Sequence, residues 1–232
     1  TRLSQWNFSI DTNFYPLGSC TMKYNPKVNN ETASLPGFAQ HHPYTPESLS
    51  QGSIQLMFEL QEYLKEISGM EHVSLQPAAG AQGELAGMLM IHAYHAAQGR
   101  QRQKVILPDS AHGTNPATAN LCGYNVIQIQ SDERGLIDPK KLESIMDEET
   151  AAVMLTNPNT LGMFETDILK VTEIVHKKGG LVYCDGANLN AVMGKTKIRD
   201  MGIDVLHFNL HKTFSTPHGG GGPGAGPVGI VS

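Results

Sequence analysis

The sequence predicts an α/β fold, a mostly parallel sheet with helices on both faces, on three observations. Short runs such as Val105-Ile106-Leu107, Ala152-Val153-Met154-Leu155 and Leu181-Val182-Tyr183-Cys184 are apolar throughout rather than at alternate positions. Strands of that kind are buried on both sides. Stretches with apolar residues every three or four positions lie between them, so strand and helix alternate and the strands run parallel. Each run also ends in polar, reactive residues, where open α/β sheets bind ligands.

Residues 1–51 stand outside this alternation. They are rich in Pro, Asn, Ser, Thr and Gly and include the turn-forming Leu35-Pro36-Gly37. The expectation is an extended arm, with 52–232 as the domain proper. The arm carries Trp6, Phe8, Phe14, Tyr15 and Phe38, rings that need a surface to pack on, so it is expected near a contact with a second subunit. Helical spacing starts at Ser53. Ile54, Met57, Leu60, Leu64 and Ile67 form one stripe, read as core packing, and Gly69 closes it.

Val73-Ser74-Leu75 reads as a strand, followed by Gln76-Pro77-Ala78-Ala79-Gly80-Ala81-Gln82-Gly83-Glu84 and a helix from about Leu85 to Ala97. Small residues at a helix start let its free N–H groups approach an anion, and the helix dipole favours that charge. A tight helix entry explains the same residues. His92 and His95 sit one turn apart without a third ligand at suitable spacing, so they read as a polar helix face, and no metal is expected.

From Lys104 the alternation is regular. Strands at 105–107, 125–130, 152–155, 181–184 and 205–208 alternate with helical segments at 117–121, 139–146 and 168–177. The last helix is closed by Gly179-Gly180, and a further strand is expected from Pro227 to Ser232.

Composition narrows the function classes. The chain has 232 residues, 40% hydrophobic and 17% charged, enough for a substantial core. Its net charge of −5, with no basic stripe, argues against nucleic acid, and no apolar run reaches membrane-spanning length. Cys20, Cys122 and Cys184 are odd in number and far apart, which suits reduced thiols in a cytoplasmic compartment, or the mitochondrial matrix in a eukaryote.

The strand ends carry His112, Thr156 with Asn157, Asp185 with Asn188, and finally Lys212, which leads into a loop holding Gly219-Gly220-Gly221-Gly222-Pro223-Gly224-Ala225-Gly226. Taken singly they are unremarkable: Asp185 as a helix N-cap, His112 as a loop histidine, Thr156 and Asn157 as turn residues. Arriving together at successive strand ends, they describe a pocket for pyridoxal phosphate. Lys212 would form the Schiff base and Asp185 would keep the ring nitrogen protonated. His112 would stack on the ring, and Gly80, Ala81 and Gln82 would face the phosphate.

Five segments strengthen this reading: Tyr15-Pro16-Leu17-Gly18-Ser19-Cys20-Thr21-Met22-Lys23, Pro77 to Glu84, Ser110-Ala111-His112-Gly113-Thr114-Asn115-Pro116, Asp185-Gly186-Ala187-Asn188 and His211-Lys212-Thr213-Phe214. Over essentially the whole chain they resemble the P-protein family of the glycine cleavage system, and most closely its lysine-bearing half, the β subunit (subunit 2) of the two-subunit form. The resemblance implies the aspartate aminotransferase fold (fold type I), with the family's lysine, ring-nitrogen acid and stacking histidine on Lys212, Asp185 and His112. It implies cofactor contacts from Gly80, Ala81, Gln82, His112, Thr156, Asp185, Asn188, His211 and Lys212.

The activity implied is decarboxylation of glycine, with transfer of the aminomethyl group to the lipoyl arm of H-protein. The partners implied are a homologous α subunit (subunit 1) and lipoylated H-protein. The family's smaller C-terminal domain and some N-terminal helix have no counterpart here, so the pocket is expected to need further chain. The glycine loop at 219–226 reads either as a close approach for a lipoyl arm or partner backbone, or as a loop ordered by the missing segments. Two rival readings are another enzyme of the same fold, an aminotransferase or cysteine desulfurase, and a non-catalytic partner subunit of the same complex.

Overall fold

The computed structural model describes residues 2, 3, 6, 26–214, 216 and 224–232. The Tyr15–Lys23 segment and most of the glycine loop lie outside the described residues, as do Phe8 and Phe14. Seven strands form one sheet: β1 His72–Ser74, β2 Lys104–Pro108, β3 Asn125–Ile129, β4 Thr150–Thr156, β5 Leu181–Gly186, β6 Val205–Phe208 and β7 Val228–Ile230. Their order is β1-β7-β6-β5-β4-β2-β3. The run from β3 to β6 is parallel, and β7 lies antiparallel between β6 and β1.

Helices cover both faces. They are α1 Lys27–Ala33, α2 Pro36–Ala39, α3 Gln51–Ser68, α4 Gly80–Ala97, α5 Thr114–Leu121, α6 Pro139–Ile145, α7 Ile168–Lys177 and the single turn α8 Leu210–Thr213. Alternate strand residues feed two separate cores. Val105, Leu107, Met154, Tyr183 and Val205 meet Met88, Ile91 and Ala119 of α4 and α5. Ile106, Val153, Leu155, Val182, Cys184 and Leu206 meet Val171, Ile174 and Val175 of α7 on the other face. Every residue of β4 is buried. A Val, Leu or Ile taken fully out of water contributes about 1.5–3 kcal/mol, so these two layers carry the fold.

Three expectations are corrected. Within the stretch read as an extended arm, residues 27–33 and 36–39 are helical and 47–49 is a 3-10 turn, with no buried residue in any of them. The apolar stripe of α3 is core packing only in its lower half. Leu64 is fully buried, but Ile54 is 40% and Met57 51% exposed, because α3 meets the sheet only at its C-terminal end, where Gly69 turns the chain into β1 in the left-handed region (φ 77°). His95 is not on a polar face: it is buried, with Nε2 2.9 Å from the Ala151 carbonyl of β4.

The helix expected from residue 85 begins at Gly80 instead. Gly80, Gly83, Glu84 and Gly87 fall at helical spacing on one buried side of α4. A Cβ on Gly87 would lie 2.7 Å from the Tyr183 ring and 2.9 Å from Val205, and one on Gly83 would lie 2.3 Å from the Gly226 carbonyl. The glycines that look like a loop in sequence let the helix lie directly on β5 and β6. Its N-terminus therefore reaches the carboxyl end of the sheet.

Candidate active site

Asp185 lies one residue before the end of β5, and His207 stands on β6 directly beside it in the parallel register. The chain then turns through Asn209 into α8, and the Lys212 N–H donates to the Asn209 carbonyl at 2.9 Å. On the other side, β2 runs out to His112 and the start of α5. The N-terminus of α4 closes the top. Between these elements lies a cavity of about 220 Å³.

Six of the residues expected from sequence line it: Gly80, Ala81, His112, Asp185, His211 and Lys212. Three others do not. The Gln82 side chain folds back to accept the Ala78 N–H at 2.8 Å. Asn188 donates to the Pro158 carbonyl at 2.9 Å, bracing the loop after β4. Thr156 is buried beside Asp185 in the sheet register but does not reach the cavity. A larger cavity of about 500 Å³, between Ile67 and the loop at 193–200, holds none of the strand-end residues.

Asp185 is only 5% exposed, and it accepts the Ala187 N–H at 2.9 Å and the Asn115 amide at 3.2 Å. Burial pushes its carboxyl up. Its contact with His207, these two donors and the Lys212 ammonium outweigh that push and hold it below the ordinary value of 3.8. Asp185 is therefore a carboxylate at neutral pH, ready to accept a proton-bearing group.

The cavity has further walls that the sequence reading missed. Glu84 is 2% exposed, its Oε1 has no partner among the described residues, and Thr114 donates to its Oε2 at 3.1 Å. The same threonine ties His112: its hydroxyl and its N–H meet Nδ1 at 2.8 and 3.2 Å. His207 meets Asp185 Oδ1 through Nε2 at 3.2 Å, and its Nδ1 meets the Tyr183 hydroxyl. Asn209 lies against Gly80 so closely that a Cβ there would fall 2.1 Å from Oδ1. Two signals were available in sequence. Glu84 shares a helix face with Gly80 and Gly83, and His207 is a polar residue inside an otherwise apolar strand.

Of the glycine loop, Gly224 to Gly226 are described. Gly226 donates to the Pro77 carbonyl at 3.1 Å, and a Cβ on it would lie 2.0 Å from the Ala79 carbonyl. At that end the glycine serves close packing against the start of α4, a role beyond the two read from sequence.

Comparison with known proteins gives the family and the fold. The family model for aminotransferase class-V matches residues 81–221. A protein of Desulforamulus reducens named probable glycine dehydrogenase (decarboxylating) subunit 2 is 61% identical over 230 residues, covering 99% of this chain and 48% of the relative. A protein of the same name from Thermococcus kodakarensis is 60% identical over 231 residues, covering 99% and 46%. The chain thus spans about half the length of the curated relatives it matches. Among solved structures, a glycine decarboxylase (P-protein) of the glycine cleavage system in inhibitor-bound form superposes with a TM-score of 0.77 at 23% identity, over 100% of this chain and 51% of that one. A NifS-like protein superposes with a TM-score of 0.72 at 18% identity, over 91% and 57%. At these identities the two structures speak for the fold alone.

Proposed function

The chain belongs to the aminotransferase class-V family, and on that premise we propose that it forms the catalytic wall of a pyridoxal-phosphate-dependent glycine decarboxylase. The family depends on pyridoxal phosphate. The residues fit that group on three counts: a buried carboxylate held ionised, an amine on the same cavity, and a helix start whose glycine leaves no room for a side chain. The juxtaposition of Asp185, Lys212, His112 and the α4 N-terminus around one cavity carries the reading, and the relatives named glycine dehydrogenase (decarboxylating) give the substrate.

Lys212 would hold the cofactor's carbonyl carbon, Asp185 its ring nitrogen, His112 the ring face, and the N–H groups of residues 79–81 its phosphate. When bound, the cofactor supplies a sink for the electrons released at the substrate carbon. The chain's own part is electrostatic. Asp185 keeps a negative charge opposite the place where a ring proton would stay, beside the buried Glu84, His207 and Asn209. Burial of these groups also favours conversion of a charged carboxylate to neutral carbon dioxide. Cys122 and Cys184 are free thiols, which supports a reducing, cytoplasmic setting.

The name subunit 2 supports a homologous partner subunit, and the resemblance of the five sequence segments to the P-protein family implies lipoylated H-protein as the acceptor of the aminomethyl group. The test is glycine–carbon dioxide exchange by the full-length protein with its partner subunit and lipoylated H-protein, read beside the cofactor's visible band. Exchange that needs glycine and vanishes without cofactor supports the proposal. Transamination or cysteine desulfuration in its place would overturn it.

A further inference from the structure

His207 stands behind Asp185 on the neighbouring strand. It is 2% exposed, on β6, with one ring nitrogen turned to each of two buried groups. Tyr183, two residues before Asp185 on the same strand and on the same face, is fully buried, and its ring stacks on His207 at 5.9 Å between centroids and 30° between planes.

Tyr183 and Asp185, one at each ring nitrogen, favour one position for the hydrogen of His207. Burial holds the Tyr183 phenol well above its ordinary range, with the charges of Glu84 and Asp185 acting in the same direction, so the hydroxyl keeps its proton. A buried hydroxyl donates that proton, and the acceptor in reach is His207 Nδ1. Nδ1 is then an acceptor, and the ring hydrogen belongs on Nε2. Nε2 lies 3.2 Å from Asp185 Oδ1; the Asn209 amide, 2.8 Å away, accepts from the same hydrogen only with its oxygen turned toward the ring.

We propose that His207 is a positioning residue for Asp185: Tyr183 fixes its tautomer, and Nε2–H then holds the carboxylate in place from behind. Asp185 keeps its other oxygen on the Asn115 amide, and Oδ1 also accepts the Ala187 N–H, so the carboxyl cannot rotate without breaking buried bonds. Asn209, beside Nε2, also packs directly against Gly80, which keeps the helix start on the opposite wall close to the acid. This rests on the cofactor reading of the cavity.

The experiment uses the full-length protein with its partner subunit, loaded with pyridoxal phosphate. It compares His207→Gln, which keeps a donor near the Nε2 position, His207→Phe, which removes it, and Tyr183→Phe. Three quantities are read: the pH midpoint of the visible band, kcat against KM for glycine exchange, and the cofactor Kd. His207→Phe is expected to lower kcat by about tenfold or more, as loss of a hydrogen bond to a charged group does, with KM little changed and the spectral midpoint moved. His207→Gln is expected to recover most of both. Tyr183→Phe, one atom smaller, is expected to move the midpoint in the same direction by less, and it carries the test if His207→Phe does not fold. If Gln falls as far as Phe, or if Tyr183→Phe matches wild type in midpoint and kcat, the positioning role is wrong. A wild-type protein with no visible band at all overturns the cofactor reading itself, before any variant is compared.

Discussion

Asp185 and His207 are register partners on adjacent parallel strands, and their side chains meet at 3.2 Å in a wall where neither is more than 5% exposed. Two strands placed side by side thus bring an acid and its support together without help from any loop. The charge on Asp185 follows from this contact and its other donors. Asp185→Asn keeps the shape and removes the charge. Glycine–carbon dioxide exchange should fall by about two to three orders of magnitude, the usual effect of removing a preorganised electrostatic group. Covalent capture of the cofactor by Lys212 should persist. Near wild-type exchange in this variant would place the electrostatic role elsewhere.

The same contact predicts an acid limb of stability. Asp185 has a folded value below 3.8, so its contribution is fully present above 3.8 and is lost as pH falls through the lower, folded value. Thermal melts of the full-length protein should show wild type losing more stability than Asp185→Asn below pH 3.8. Parallel curves would mean the carboxylate is not held as the geometry states.

His95 predicts a second limb at higher pH. Burial pulls its value below 6.5, and its bond to the Ala151 carbonyl offsets this only in part. The folded protein resists protonation that the unfolded chain accepts, so stability falls as pH drops from 6.5 toward the lower folded value. His95→Gln, an amide that can still donate to the carbonyl, should flatten the melting temperature over that window. An unchanged slope would assign it to other groups.

The glycine stripe of α4 gives a packing prediction. A methyl on Gly87 has nowhere to go, with the Tyr183 ring at 2.7 Å and Val205 at 2.9 Å. Gly87→Ala should cost about 1–3 kcal/mol by overpacking, measured by denaturant unfolding, although alanine is the better helix former. Any stabilisation would show that α4 sits further from the sheet.

Much of this fold was legible because strands buried on both faces announce themselves. Each apolar run from Val105 to Phe208 became a strand, and Lys212, Asp185 and His112 met as their strand-end positions implied. The losses have physical causes. Gly80 and Gly83 read as loop because glycine usually breaks helices, whereas here close approach to β6 and Gly226 sets their identity. The α3 stripe has helical spacing whether or not a partner covers it, so periodicity could not tell the buried Leu64 from the exposed Met57. Tyr183 and His207 are 24 positions apart and meet only through the register of β5 and β6, which no local pattern encodes. Gln82 and Asn188 lie in the right segments, but local hydrogen bonds hold their side chains away from the cavity.

Lys212 carries two separable roles, and two substitutions divide them. Its ammonium helps hold Asp185 below 3.8, while its amine is the group that would capture the cofactor. Capture requires a nitrogen that can give up a proton, which lysine can do when buried or beside charge and arginine cannot. Lys212→Ala removes both roles, whereas Lys212→Arg keeps the charge alone. Both variants should therefore lose exchange activity and yield no pyridoxyl peptide after borohydride reduction, which in wild type should map to Lys212 rather than Lys23 or Lys195. The alanine variant should weaken the acid limb most, because only there does Asp185 lose a positive neighbour altogether. Arginine lies on a different stem, so some of that support is expected to fall away, but the order wild type, Arg, Ala should hold. Exchange retained by either variant, or a label found on another lysine, would remove Lys212 from the chemistry and leave it as a structural charge beside Asp185.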